Sequence, residues 1–138
     1  MTGGLITTSA RTNSCFGDGI PDSWRLRYFG TTNNLLSQAA ADADGDGMNN
    51  LHEFIAGTDP LDSTSNLHVD NSSPGAGGSD CCIHWPSVYG IQYVIERSPY
   101  LYAPVWTSIS TNTGTGTDME IHDTAGGSTR YYRVRVLQ

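Results

Sequence analysis

The sequence predicts a mainly β protein, a β-sandwich preceded by a small helical unit. Three observations point there. Residues 66–138 alternate apolar and polar side chains with the period of strands. Residues 15–62 hold eight of the fourteen acidic residues and the convincing helical patterns. Turn-rich stretches, TDPLDSTSN and NSSPGAGGSD, lie around the junction. The expected division is an N-terminal arm over 1–14, a helical unit over 15–65 and a β-domain over 66–138.

In the helical unit, GIPDSWRLRYFG reads as a short helix. Pro21 suits a first turn, Trp24 and Tyr28 share a face at i, i+4, and Gly30 can end it. A second helix carries Leu51, Phe54 and Ile55 on one face and stops at Gly57. Both are too short to stand alone in water, so packing must hold them.

The β-domain opens with LHVD at 67–70 as its first strand. CCIHWP follows, with Cys81, Ile83 and Trp85 facing one way and Cys82 and His84 the other. IQYVIERS turns Ile91, Tyr93 and Ile95 inward, and VWTSIS is a further strand. TDMEIH places Met119 and Ile121 inside, with Asp118, Glu120 and His122 outside. RYYRVRVL places Tyr132, Val134 and Val136 on one face, Arg133 and Arg135 on the other. Turns separate these six strands at the spacing of a sandwich.

Between the two helices lies DADGDGMNNLHE. Numbered from Asp42, it has carboxylates at positions 1, 3 and 5 (Asp42, Asp44, Asp46), Gly47 at 6, Asn50 at 9 and Glu53 at 12. This is the full calcium-loop pattern. A hard cation of that size takes six to eight oxygens, and alternate residues of a tight loop aim side chains at one point. Gly47 permits the reversal, the Met48 carbonyl can supply a further oxygen, and Glu53 closes the site from the helix. Four carboxylates in that register are costly without a counter-ion. The predicted cofactor is therefore Ca2+; Mg2+ suits an all-protein cage poorly.

The stretch from Gly17 to Ser65 resembles the thrombospondin type 3-like calcium repeats of secreted bacterial surface proteins, relatives of EF-hand and dockerin loops. The resemblance implies structural calcium in an extracellular setting, held by Asp42, Asp44, Asp46, the Met48 backbone, Asn50 and Glu53. Two departures qualify it. Asn49 stands at position 8, where signalling loops carry an apolar residue for pairing, which argues against a switch. A first copy, SCFGDGIPDSWR, keeps Asp18 and Asp22 at positions 5 and 9 but has Ser14, Phe16 and Arg25 at 1, 3 and 12. It is a candidate second metal site with help from Asp59 or Asp62; the plain alternative is a helix cap and a turn. Residues 81–136 are similar to the fibronectin type III or immunoglobulin-like modules that often follow such repeats, which implies an Ig/fibronectin-like sandwich.

Composition limits the function. A chain of 138 residues makes one ordinary domain or two small ones. A formal net charge of −7, with all seven basic residues arginine, argues against a nucleic-acid partner. No apolar run approaches the roughly 20 residues of a membrane span. The opening MTGGLITTSARTNS lacks the pattern of a signal peptide, so a mature or trimmed form is expected if the protein is extracellular. No phosphate loop, catalytic triad or C-x-x-C zinc spacing is present, and an enzyme is not expected.

The expected role is structural. In fibronectin-like modules a further strand lies beside the one matching YYRVRV, and here the sequence reaches Gln138 without it. GGLITTSA, residues 3–10, is strand-capable and has no partner in its own unit. Donated to a neighbouring copy, it gives a head-to-tail homopolymer, a filament or surface assembly. The alternatives are a disordered arm with the edge covered internally, or a monomeric carbohydrate-binding or adhesion module using Tyr89, Tyr100, Tyr102 or Trp106. Against the latter, Trp85 and Trp106 are expected in the core and the tyrosines at the edges. Cys15, Cys81 and Cys82 are disulfide candidates within or between chains, or reduced thiols. Asn71, in Asn71-Ser72-Ser73, is a glycosylation candidate if the protein is secreted.

Overall fold

The computed structural model describes residues 14–72, 80–124 and 129–138. The arm proposed as a donor strand, through residue 13, lies outside them. The elements are helix α1 (Asp22–Phe29), a 3-10 turn (Leu35–Ser37), helix α2 (Asn50–Ala56) and strands β1 (Asp70–Ser72), β2 (Cys81–Pro86), β3 (Gln92–Ser98), β4 (Thr107–Thr113), β5 (Asp118–Asp123) and β6 (Tyr131–Val136). The strands form two antiparallel sheets of three, in the orders β1-β2-β5 and β4-β3-β6.

Both helices end where the sequence expects. Gly30 and Gly57 sit in the left-handed region at φ 69° and 75°, and each donates its N–H back to a helix carbonyl, those of Leu26 and Glu53. The helices meet through aromatics. Trp24 lies 4.9 Å from Tyr28, its i+4 neighbour, and 6.2 Å edge-on from Phe54 of α2. Pro21 stands just before α1 as its cap rather than inside the first turn. The 3-10 turn, capped by Asn34 accepting from the Leu36 N–H, had no signal in the periodicity.

The core of the β-domain is Ile83 and Trp85 from β2 with Tyr93 and Ile95 from β3, one strand from each sheet. Met119 and Ile121 of β5, and Tyr132, Val134 and Val136 of β6, pack around it, as the alternation predicts. The Tyr93 hydroxyl accepts from the Val88 N–H at 2.9 Å, which satisfies its oxygen inside the core.

Three expectations need correcting. The first strand does not run over 67–70: its ladder begins at Asp70. Leu67 is held instead by the helical unit, its N–H donating to Met48 Sδ at 3.2 Å, although Leu67 and Val69 still pack against the core. Trp106 is not in the core. It lies outside it, half-buried, with the Arg133 guanidinium 4.3 Å from its ring. Finally, the strand read as VWTSIS begins at Thr107 and runs on to Thr113, leaving Val105 and Trp106 outside it. On β3, the side turned from the core is covered as well. Val94 and Glu96 are buried, Glu96 beneath Arg133 and Arg135, whose Nε atoms donate to its Oε2 at 2.7 and 3.2 Å. Burial alone would raise the Glu96 pKa, but the two arginines outweigh it and hold the group below its usual range.

The helical unit rests on the β2–β3 turn. A Cβ added at Gly57 would meet the Val88 side chain at 3.2 Å and that of Ile91 at 3.5 Å, so the helix end packs closely against that turn. A second clamp joins the sheets. Asp123 at the end of β5 accepts from Arg97 of β3 at 2.8 Å and from the Tyr132 hydroxyl of β6 at 2.9 Å, with Arg130 at 3.4 Å. Burial, joined by the Asp123 charge and partly offset by Arg130, pushes the Tyr132 phenol up to about 12.

Candidate metal centre

Asp42, Asp44 and Asp46 converge: one carboxylate oxygen from each lies within 4.8 Å of the others. The loop's own backbone sets them there. Asp42 accepts from the N–H groups of Gly45 (2.7 Å) and Gly47 (3.0 Å), Asp44 from Asp46 (3.2 Å), and Asp46 from Met48 (2.7 Å). Gly45 and Gly47 take φ of 79° and 98°, a region that disfavours other residues, and make the reversal possible. Asp44 Oδ2 and Asp46 Oδ2 remain buried without a hydrogen-bond partner.

Glu53 of α2 lies outside that 4.8 Å group but near enough for the charges of all three aspartates to act on it. Its side chain is fully buried, yet neither carboxylate oxygen has a partner. Burial, then the charges of Asp44, Asp46 and Asp42 and last that of Asp59, raises its pKa to about 7. Asp44 is raised as well, first by burial. An unpaired carboxylate costs several kcal/mol in such a place, so either a proton or a cation must accompany it. Hard oxygen donors at alternate positions around one point fit a calcium ion.

The remaining predicted ligands behave differently. Asn50 is buried, and its amide nitrogen donates to the carbonyls of Leu36 (2.6 Å) and Gln38 (2.7 Å), while its Oδ1 is buried and unpartnered. The amide thus fastens the 3-10 turn to the loop while leaving an acceptor free. Met48 contributes its sulfur to Leu67, a role that spacing could not show. Asn49, at the position that argued against a switch, caps α2 by accepting from the His52 N–H at 2.9 Å.

The four residues of the candidate second site do not come together. Asp18 and Asp22 surround Arg25, whose side chain is fully buried. Its Nη2 donates to Asp18 at 2.5 Å, its Nη1 to the Ile20 carbonyl at 2.7 Å and more weakly to Ser14 Oγ at 3.5 Å, and its Nε to the Ser37 carbonyl at 2.9 Å. The Phe16 ring lies 5.0 Å below the guanidinium. Asp59 and Asp62 instead hold their own turn, accepting from the N–H groups of Leu61 and Thr64, and the charge of Asp59 is felt at Glu53.

The three cysteines are free thiols. Cys15 donates to Asp22 at 2.7 Å, and that hydrogen bond holds its pKa above the usual range. Cys81 and Cys82 point to opposite faces, as alternation requires: Cys81 packs against the core, and Cys82 lies beside His122. Asn71 lies in β1, opposite Ile83. Tyr89, Tyr100 and Tyr102 are exposed, Tyr102 at 95%. Among the described residues, no helix is long and apolar enough to cross a membrane.

The chain matches no protein-family model, no curated protein and no solved structure.

Proposed function

We propose that this chain is a calcium-stabilised structural protein of the cell exterior, a subunit of a filament or surface assembly. One observation carries the calcium reading: Glu53 is fully buried with both oxygens unpartnered, beside three converging aspartates. The ion is structural in this reading. It neutralises the loop, and its binding free energy adds to folding of a unit whose helices are too short to persist alone. Asp42, Asp44, Asp46 and Glu53 are the side-chain ligands, with Asn50 Oδ1 and the Met48 carbonyl as further oxygens.

The resemblance to thrombospondin type 3-like repeats and to an Ig/fibronectin-like sandwich gives the extracellular setting. The two three-stranded sheets, with core residues from each, support the sandwich part of it. For assembly, the support is the edge of β6. Among the described residues it pairs with β3 alone, and a row of backbone groups on its other side suits strand addition. Residues 3–10 of a neighbouring copy are the proposed donor. A head-to-tail contact that does not close on itself makes a filament.

Negative-stain microscopy of the purified chain in calcium tests the assembly. Filaments that vanish when residues 1–10 are deleted are expected; dispersed single particles of the intact chain at high concentration reject it. Thermal melting in excess chelator tests the ion, and an unchanged curve rejects a structural calcium.

A second reading, a monomeric carbohydrate-binding or adhesion module, is favoured by the exposure of Tyr89, Tyr100 and Tyr102. It predicts glycan binding by dispersed monomers, weakened by Tyr100→Ala or Tyr102→Ala. Glycosylation at Asn71 and disulfides through Cys15, Cys81 or Cys82 accompany the extracellular reading; intact-mass measurement of native material detects both.

A further inference from the structure

The outward face of the β1-β2-β5 sheet carries a second constellation, unrelated to the acidic loop. Strands β2 and β5 are antiparallel with Cys82 opposite His122 and His84 opposite Glu120. Alternation sends all four side chains to the same side, so they form the corners of a square two residues long and two strands wide. The side chains close on one another. Cys82 Sγ lies 3.4 Å from His122 Nε2 and 4.0 Å from Glu120 Oε2. His84 Nε2 lies 3.5 Å from Glu120 Oε2, and His122 Nε2 lies 3.9 Å from Glu120 Oε1. Ligand atoms of Cys82, His84 and Glu120 all lie within 4.8 Å of one another.

We propose that Cys82, His84, Glu120 and His122 form a binding site for a borderline-soft divalent cation of the zinc class. The donor set decides the metal. One sulfur, two imidazoles and one carboxylate suit zinc, whereas calcium takes oxygen alone. The spacing agrees. In a tetrahedral zinc site with the usual bond lengths, neighbouring ligand atoms stand about 3.3–3.6 Å apart. The two shorter separations here, 3.4 and 3.5 Å, have that length; the longer two need about half an ångström, and bringing His122 into the group formed by the other three takes a rotation of its side chain. Cys82 Sγ is also 3.5 Å from His122 Nδ1, and near-equal distances to both nitrogens put the sulfur over the face of the ring rather than along either lone pair. A turn of the ring aims one of them at the metal. Binding converts the Cys82 thiol to thiolate, and its proton leaves to solvent.

Cys82 and His84 are half-buried and Glu120 is exposed, so an ion can reach the site from solvent. Four protein ligands leave no open position, which makes the site a structural cross-link between β2 and β5 rather than a catalytic one. Asp70 of β1 pairs in register with His84, but its carboxylate is engaged by His68, whose Nε2 lies 3.4 Å away.

The test uses the whole chain, reduced with a phosphine and stripped of metal, then titrated with cobalt(II) in excess calcium. The expected result is one equivalent of cobalt with a thiolate-to-metal charge-transfer band and intense four-coordinate visible bands, bleached by zinc. The band is lost in Cys82→Ser and kept in Cys15→Ser. It is also kept in Asp44→Asn, which separates this site from the calcium loop. His84→Ala and His122→Ala each weaken zinc by about 100-fold or more, beyond the cost of losing an outer partner. As a check that needs no variant, zinc slows alkylation of Cys82 in the unsubstituted chain but not that of Cys15. No charge-transfer band in the unsubstituted chain, a band that survives Cys82→Ser, or alkylation of Cys82 at an unchanged rate overturns the proposal.

Discussion

Arg25 donates to Asp18 at 2.5 Å, and the guanidinium stands where a calcium loop would hold its ion. Numbered from Ser14, the groups it gathers are those of loop positions 1, 5 and 7: Ser14 Oγ, Asp18 and the Ile20 carbonyl. Asp22, at position 9, lies 3.9 Å away. Position 12 itself supplies the charge, and Phe16 at position 3 offers a ring face in place of a ligand. This loop is thus closed around a cation that its own chain supplies.

Replacing Arg25 by Met removes that cation while keeping much of its volume. Asp18 is about a quarter exposed and can partly rehydrate, so the expected loss is about 2–3 kcal/mol, below the 3–5 typical of breaking a fully buried pair. Urea unfolding measures it. Phe16→Asp combined with Arg25→Glu rebuilds carboxylates at positions 3, 5, 9 and 12, and calorimetry should then count one more bound calcium than in the parent chain.

Removing calcium should make stability depend on pH. Without the ion, Glu53 has a folded-state pKa near 7 against an ordinary value of 4.5. The folded chain then binds more protons than the unfolded one between those values. Its stability is greatest below pH 4.5 as far as this group is concerned, and falls as pH rises toward 7. With calcium bound the carboxylate is neutralised and this slope disappears. Melting curves from pH 5 to 8, in calcium and in chelator, should therefore diverge as pH rises; parallel curves would contradict the assignment of Glu53.

Asp123 joins β5 to β3 and β6 through Arg97, Tyr132 and Arg130. Asp123→Asn keeps the shape but removes the charge from two arginines. Because Arg97 is almost a third exposed, the expected cost is about 1.5–3 kcal/mol. Tyr132→Phe loses one hydrogen bond and should cost about 1 kcal/mol. Chemical denaturation of both variants ranks them.

Gly114 is a packing constraint rather than a conformational one. A Cβ there would fall 2.1 Å from the Val88 carbonyl oxygen and 3.0 Å from the Tyr93 ring. Its own N–H donates to Ile91 at 2.7 Å and its carbonyl accepts from Gly90 at 3.0 Å, so the turn cannot simply slide away. Gly114→Ala should lower stability by about 2–3 kcal/mol, as overpacked cores do, read as a lower melting temperature.

Much of this was legible in the chain because the signals are local. The convergence of Asp42, Asp44 and Asp46 is a spacing, Gly30 and Gly57 are stops, and CCIHWP declares its two faces by alternation. What escaped needed information about which segments meet. Cys82 and His84 read as outward-facing, and so did Glu120 and His122, but nothing in the sequence pairs β2 with β5. The burial of Glu96 follows from arginines 37 and 39 residues away. Arg25 read as a failed ligand because a pattern for oxygen donors has no place for a cation at position 12. Leu67 was lost from the first strand to a sulfur 19 residues upstream.

The 3-10 turn is held from both directions. Arg25 takes the carbonyl of Ser37, and Asn50 takes those of Leu36 and Gln38 on either side of it. Three consecutive peptide units are thus shared between the arginine-filled loop and the acidic one. Neither loop can let go without stripping a partner from the turn they share, so the two loops should melt as one cooperative transition, and removing Arg25 should loosen amide-exchange protection in both.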